Sequence, residues 1–187
     1  EIPAELRVEG LLDLPEPRPV TTSYTVSGSP EEAARMAAQL NDYPVIKIKL
    51  GTPGDLERVA SVRAARPDAR LMVDANAGWT AEEAVRMVKA LEPYSLELIE
   101  QPVPKDDIAG MGLVQACTPL PVVADESVQT MEHVERLAES GVQGLNLKLM
   151  KLGGLTPAIK VARRARELGM RLMLGSMIET SIGVTAM

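Results

Sequence analysis

Phenylalanine is absent from this 187-residue chain, and one Trp and three Tyr make up its whole aromatic complement. With 20 Lys and Arg against 26 Asp and Glu the net charge is −6. The chain therefore offers neither the basic footprint nor the stacking platform that nucleic acid requires, and that partner class is excluded. A single cysteine, Cys117, cannot form an internal disulfide. It falls in a helical pattern from Gly112 to Thr118, where a small buried hydrophobe is expected. The single histidine, His133, lies among Glu132, Glu135 and Arg136 and is expected to be solvated. Ser-His-Asp and Cys-His chemistry is thereby removed, leaving acid–base work to carboxylates and lysines. No apolar run approaches the roughly 18 residues of a membrane span, and no basic start leads into an apolar leader with a small-residue cleavage site. A cytoplasmic location without a membrane partner is the expectation. Against these absences stand 45% apolar and 25% charged residues and a mean hydropathy of +0.01, the composition of an ordinary folded domain.

Short β-rich apolar runs alternate with amphipathic stretches along the chain. The candidate strands are Thr21–Ser27, Val45–Leu50, Leu71–Asp74, Leu96–Glu100, Val122–Asp125, Leu145–Lys148 and Leu172–Gly175. Helix-start signals lie between them: Ser29-Pro30-Glu31-Glu32 offers an N-cap with Pro in the first turn, and Thr80-Ala81-Glu82-Glu83 fits a capping box. Strands separated by helices of this length give an α/β fold with a parallel sheet. Lys49, Asp74, Glu100, Asp125 and Lys148, at the ends of successive strands, are separated by 25, 26, 25 and 23 residues. A repeating βα unit that ends each strand in an ionisable residue favours a (β/α) TIM-type barrel, whose strand ends converge on one mouth. Seven of eight strands are present, so the last strand is expected to lie outside this chain. Residues 1–19, which carry Pro3, Pro15, Pro17 and Pro19 and begin at Glu1, read as a linker from an absent capping domain, and residues 20–187 as the barrel.

Side chains alternate along Val45–Leu50, so Ile46, Ile48 and Leu50 face the helices while Lys47 and Lys49 point together into the barrel. A lysine pair on a strand face is either solvated or functional, and its surroundings decide which. Asp74, Glu100 and Asp125 supply three carboxylates at the same mouth, which cannot all stay ionised unless a cation joins them. Three oxygen ligands without nearby His or Cys suit Mg²⁺, or Mn²⁺, rather than zinc. The same alternation turns Asn146 and Lys148 inward on the sixth strand. Lys49 and Lys148 then flank a central substrate from two faces. Lys151, beside Gly153-Gly154, is read as a loop lysine on the surface or the phosphate side.

The segments KIKLG (47–51), VDANAGWT (73–80), IEQPV (99–103), ADES (124–127), NLKLMKLGG (146–154) and GSMIETSIGVTA (175–186) resemble, in order, the barrel motifs of the muconate-lactonizing subgroup of the enolase superfamily. EQPVPKDDIAG, LKLMKLGG and GSMIETSIGVTA are most similar to the dipeptide epimerases. The resemblance implies Lys49 and Lys148 as the two acid–base catalysts, Lys47 as a neighbouring cation at the substrate, and Asp74, Glu100 and Asp125 as ligands of Mg²⁺. It also implies an Asp-x-Asp motif near the eighth strand and a capping domain over the substrate, and this sequence contains neither.

The implied reaction is Mg-dependent epimerisation of a dipeptide, a small-molecule partner, by 1,1-proton transfer through a metal-stabilised enolate. Lys49 takes the α-proton of the C-terminal residue from one face and Lys148 returns a proton to the other. Lys47 is expected to help keep Lys49 partly neutral. Ser176 and Met177, with Ile178, either line the substrate side-chain pocket or, for the apolar pair, belong to the core. N-succinylamino acid racemase, o-succinylbenzoate synthase and muconate cycloisomerase chemistry use related parts. An inactive barrel fragment with unpaired edges is the reading from another class. A homo-oligomer is compatible with the sequence.

Overall fold

The computed structural model describes residues 19–186. The linker expected over residues 1–19 lies, but for its last residue, outside that range. Seven strands form one parallel sheet in sequential order: β1 (Tyr24–Val26), β2 (Val45–Lys49), β3 (Arg70–Asp74), β4 (Leu96–Glu100), β5 (Val122–Ala124), β6 (Gly144–Leu147) and β7 (Arg171–Leu174). Each strand pairs with the next, so the order never reverses as it does in a doubly wound sheet. A cavity of about 650 Å³ is lined by Val20–Ser23 beside β1, by Met72, Leu98 and Val123, and by Leu172–Leu174 of β7. The sheet therefore curls until its first and last strands face a common interior, which is the barrel geometry expected from the spacing.

The helices are α1 (Pro30–Ala38), α2 (Asp55–Ala65), α3 (Ala81–Leu91), α4 (Ile108–Ala116), α5 (Met131–Glu139), the single turn α6 (Leu149–Leu152), α7 (Leu155–Glu167) and α8 (Ser181–Ala186). None is long and apolar enough to cross a membrane among the described residues. Both expected starts are closed by reciprocal bonds. Ser29 Oγ accepts from the Glu32 N–H while a Glu32 oxygen accepts from the Ser29 N–H, and Thr80 and Glu83 repeat the arrangement. Those caps satisfy orphan donors of the first turn and fix where the chain leaves the sheet for the helical layer.

The core lies between sheet and helices. Ile46, Ile48, Leu71, Val73, Ile99 and Leu145 from the strands, and Val59, Val88, Met111 and Leu137 from the helices, are fully buried. Burying each such side chain contributes roughly 1.5–3 kcal/mol. This packing sets the facing of β2: with Ile46 and Ile48 committed to the helices, Lys47 and Lys49 must point inward.

Several boundaries differ from the sequence reading. β1 keeps three residues of the expected Thr21–Ser27. Asp125 and Lys148 lie one residue beyond their strands, because the Asp125 N–H donates to Gln101 Oε1 instead of the ladder and Lys148 caps α6. His133 is half-buried rather than solvated, and among the described residues its Nδ1 is buried without a hydrogen-bond partner. It shares a helix side with buried Leu137, one turn on. Cys117 is half-buried and caps the end of α4 rather than sitting within it.

Candidate active site

Five of the sequence-predicted residues converge on the C-terminal ends of β2 to β6. Asp74 and Glu100 are register partners on β3 and β4; Asp74, Glu100 and Asp125 are 0%, 0% and 2% exposed. Each carboxylate is turned onto a lysine. Lys49 Nζ donates to Asp74 Oδ2 at 2.6 Å, and Lys47 Nζ bridges Glu100 Oε2 at 3.0 Å and Asp74 Oδ2 at 3.2 Å. On the far side Lys148 Nζ reaches Asp125 Oδ2 at 2.5 Å. Asn146, fully buried on β6, donates from Nδ2 to Glu100 Oε1 at 2.7 Å.

Lys151 was missed as a site residue. It is not a surface lysine: α6 turns it back beneath the mouth, where its side chain is 13% exposed. Its Nζ donates to Asp125 Oδ1 at 2.5 Å, to the Asn146 carbonyl at 3.0 Å and to the Asp125 carbonyl. Its place depends on the single turn Leu149–Leu152, which sets Lys151 one turn beyond Lys148. Gln101 was also missed. Held at φ 38° and fully buried, it accepts from the Asp125 and Ser127 N–H groups through Oε1 and donates through Nε2 to Val103 O and Ser127 Oγ. This network fixes the loop that carries Asp125.

The electrostatics follow from burial in a crowd of charge. Burial pushes the Glu100 carboxyl above the usual range, and the nearby Asp74 and Asp125 charges add to it; Lys47 and Asn146 only partly offset this. Burial would also raise Asp125, but Lys151 and Lys148 outweigh it and hold that carboxyl low. Burial would lower the Lys47 amine, yet Glu100 and Asp74 outweigh it and raise it. For Lys151 burial prevails, and the amine sits below its ordinary value despite Asp125.

Three buried carboxylates are hard oxygen donors, the chemistry that a divalent cation such as Mg²⁺ takes. As placed, with each carboxylate turned to a lysine, no three His, Cys, Asp or Glu side chains among the described residues stand as a group that could hold an ion.

Ser176 and Met177 stand exposed beyond β7, with Ile178 fully exposed. Neither apolar residue belongs to the buried core cluster among the described residues. Gly175 abuts Asn146: a Cβ there would lie 2.5 Å from Asn146 Oδ1, so this segment starts beside β6, two residues from Lys148. A cleft of about 450 Å³ opens against Lys49, lined by Ser27, Ser29, Thr52, Pro53 and Arg58 among others. The larger interior cavity sits toward the strand starts and contains none of the mouth residues.

Residues 29–187 match the enolase C-terminal domain-like family. The chain belongs to that family. Among curated relatives, the L-Ala-D/L-Glu epimerase of Bacillus subtilis is 42% identical over 178 residues, covering 88% of this chain and 48% of the relative. The crystal structure of a dipeptide epimerase from Cytophaga hutchinsonii, complexed with Mg and the dipeptide D-Ala-L-Val, superposes with a TM-score of 0.90 at 32% identity, covering 94% of this chain and 50% of that one. An N-succinyl Arg/Lys racemase from Bacillus cereus gives a TM-score of 0.86 at 32% identity, covering 89% and 47%. The chain thus spans about half the length of the family members it matches.

Proposed function

We propose that this chain is the catalytic barrel of a metal-dependent dipeptide epimerase acting by two-lysine proton transfer at the α-carbon. The observation that carries the proposal is the placement of Lys49 and Lys148. Lys49 ends β2 and Lys148 directly follows β6, four strands on in the sheet, and both reach the row of buried carboxylates at one mouth. In a barrel those strands face each other, so a substrate between them meets one amine on each face.

Asp74, Glu100 and Asp125 would hold Mg²⁺. Bound there, the ion would supply Lewis-acid stabilisation of the negative charge that develops on the substrate carboxylate as the α-proton leaves. The neutral Lys49 amine accepts that proton from one face, and the C–H electron pair passes into the carboxylate group. The Lys148 ammonium then donates a proton to the opposite face, which re-forms the C–H bond with inverted configuration. The cycle leaves Lys49 protonated and Lys148 neutral, and the reverse direction exchanges their roles. Lys47, fixed between Asp74 and Glu100, contributes a permanent positive charge beside the substrate carboxylate. Ser176 and Met177 stand at the rim, where side-chain selection takes place.

Likeness to the Bacillus cereus protein supports a second reading, racemisation of N-succinyl amino acids by the same two lysines. The longest natural polypeptide carrying this chain is to be incubated in D₂O with Mg²⁺ and a panel of L,L-dipeptides and N-succinyl amino acids. Metal-dependent loss of the α-proton NMR signal from dipeptides alone is the expected result. Exchange confined to the N-succinyl compounds would move the assignment to the racemase, and exchange from neither would reject both.

A further inference from the structure

The loop after β3 has an unusual backbone. Asn76 and Ala77, both non-glycine, adopt left-handed conformations with φ 47° and 61°. A loop that only joined a strand to a helix would not need two such residues in succession, since the left-handed region is sparsely populated by non-glycine residues. The surroundings over-determine them. The Asn76 N–H donates to Asp74 Oδ1 at 3.0 Å, the Ala77 N–H donates to Gln101 O at 2.8 Å, and a Cβ on Gly78 would lie 2.6 Å from Gly51 Cα. The loop is thus clamped onto the chain two residues past Lys49.

That clamp aims the Asn76 amide. Lys49 Nζ donates to Asn76 Oδ1 at 2.7 Å, and Asn76 Nδ2 donates to Glu126 Oε1 at 3.2 Å. With an amine donor at one end and a carboxylate at the other, only one amide orientation satisfies both neighbours. Glu126 Oε2 is buried and, among the described residues, without a hydrogen-bond partner, so the carboxylate's bond to Asn76 runs through Oε1 alone, while its charge also acts on Lys151. Lys49 has the greater need of a tether: its side chain is 34% exposed against 14% for Lys148. A four-carbon stem at that exposure samples many rotamers, whereas proton transfer needs the amine held to within about half an ångström.

We propose that Asn76 and Glu126 are a positioning pair for Lys49, the amide oxygen holding Nζ and Glu126 holding the amide. The proposal rests on Lys49 being one of two opposed bases, and it requires the pair to serve one face of the substrate only. Asn76→Gly tests it, because glycine tolerates the left-handed backbone and deletes only the side chain. In the full-length protein with Mg²⁺, α-deuterium incorporation is followed separately from L-Ala-L-Glu and L-Ala-D-Glu. Asn76→Gly is expected to slow exchange at least tenfold from whichever epimer Lys49→Ala silences, and less than threefold from the other. Glu126→Ala is expected to show a smaller loss on the same face, and Glu126→Gln, which keeps an oxygen for Asn76 Nδ2, to recover most of it. A second readout does not depend on turnover. Reductive methylation followed by peptide mass spectrometry is expected to show Lys49 reacting severalfold faster in Asn76→Gly, with Lys148 within twofold of the parent. Equal slowing from both epimers, no slowing, or an unchanged Lys49 methylation rate would overturn the pair. If the parent protein exchanges neither epimer, the epimerase reading fails, and the methylation rates still decide whether Asn76 holds Lys49.

Discussion

At the mouth of the sheet, lysines and carboxylates define one another. Asp125 shows this most fully: one oxygen takes Lys148, the other takes Lys151, and its backbone carbonyl takes Lys151 as well. Replacing Lys151 with Met would keep the stem and remove the cation, leaving a nearly buried carboxylate with one partner and two buried carbonyls with fewer. A loss of about 1–3 kcal/mol is expected, the penalty of leaving buried polar groups unsatisfied, measured as a lowered urea midpoint at unchanged slope. An unchanged midpoint would show Lys151 to be a bystander. Why this lysine escaped the sequence reading is physical. Alternation identifies Lys47, Lys49, Asn146 and Lys148 because they lie on or next to extended strands, but the chain enters a single helical turn at Leu149 and period two ceases to apply. Asn76 and Gln101 escaped for a related reason, as positive φ at a non-glycine residue leaves no compositional trace.

The βα unit was the most legible element. Its hydrophobic runs, its polar strand ends and its caps all agree, and every strand appears within a few residues of its expected place. The caps are also testable. At the start of α3, Thr80 Oγ1 accepts from the Glu83 N–H and Glu83 accepts from the Thr80 N–H. Thr80→Ala is expected to cost about 1 kcal/mol, within the 0.5–2 kcal/mol range for such caps. The two hydrogen bonds to Thr80, backbone first, hold the Glu83 carboxyl below its usual value. A depressed carboxyl contributes stability above its unfolded pKa and loses it as pH falls through the folded one. In a comparison of parent and Glu83→Gln across an acid titration, the stability difference should therefore narrow below about pH 4. A difference independent of pH would show that Glu83 takes no part in the cap. The Asp-x-Asp motif implied by the resemblance is not in the given sequence.

For the whole molecule, sequential strand order and curl place the two lysines across a common mouth, and the apolar surface shows where the chain expects company. Ile178, Ile182 and Val184 are 104%, 80% and 53% exposed, and Leu174 on the last described strand is 53% exposed. Among the described residues β1 and β7 each have one sheet neighbour, and an unpaired strand edge beside apolar surface favours association. The 187-residue polypeptide purified alone is expected to elute from size exclusion above its 20.1 kDa mass. A stable monomer would show that these edges are self-sufficient. The central claim is that two lysines act on opposite faces of one α-carbon, and single-lysine variants test it most directly. With Mg²⁺ in D₂O, Lys49→Ala of the full-length protein should abolish α-proton exchange from one epimer of the dipeptide and retain it from the other. Lys148→Ala should show the opposite pattern, and neither should interconvert the epimers. Loss of exchange from both epimers in either variant, or retention of epimerisation in one, would contradict the account.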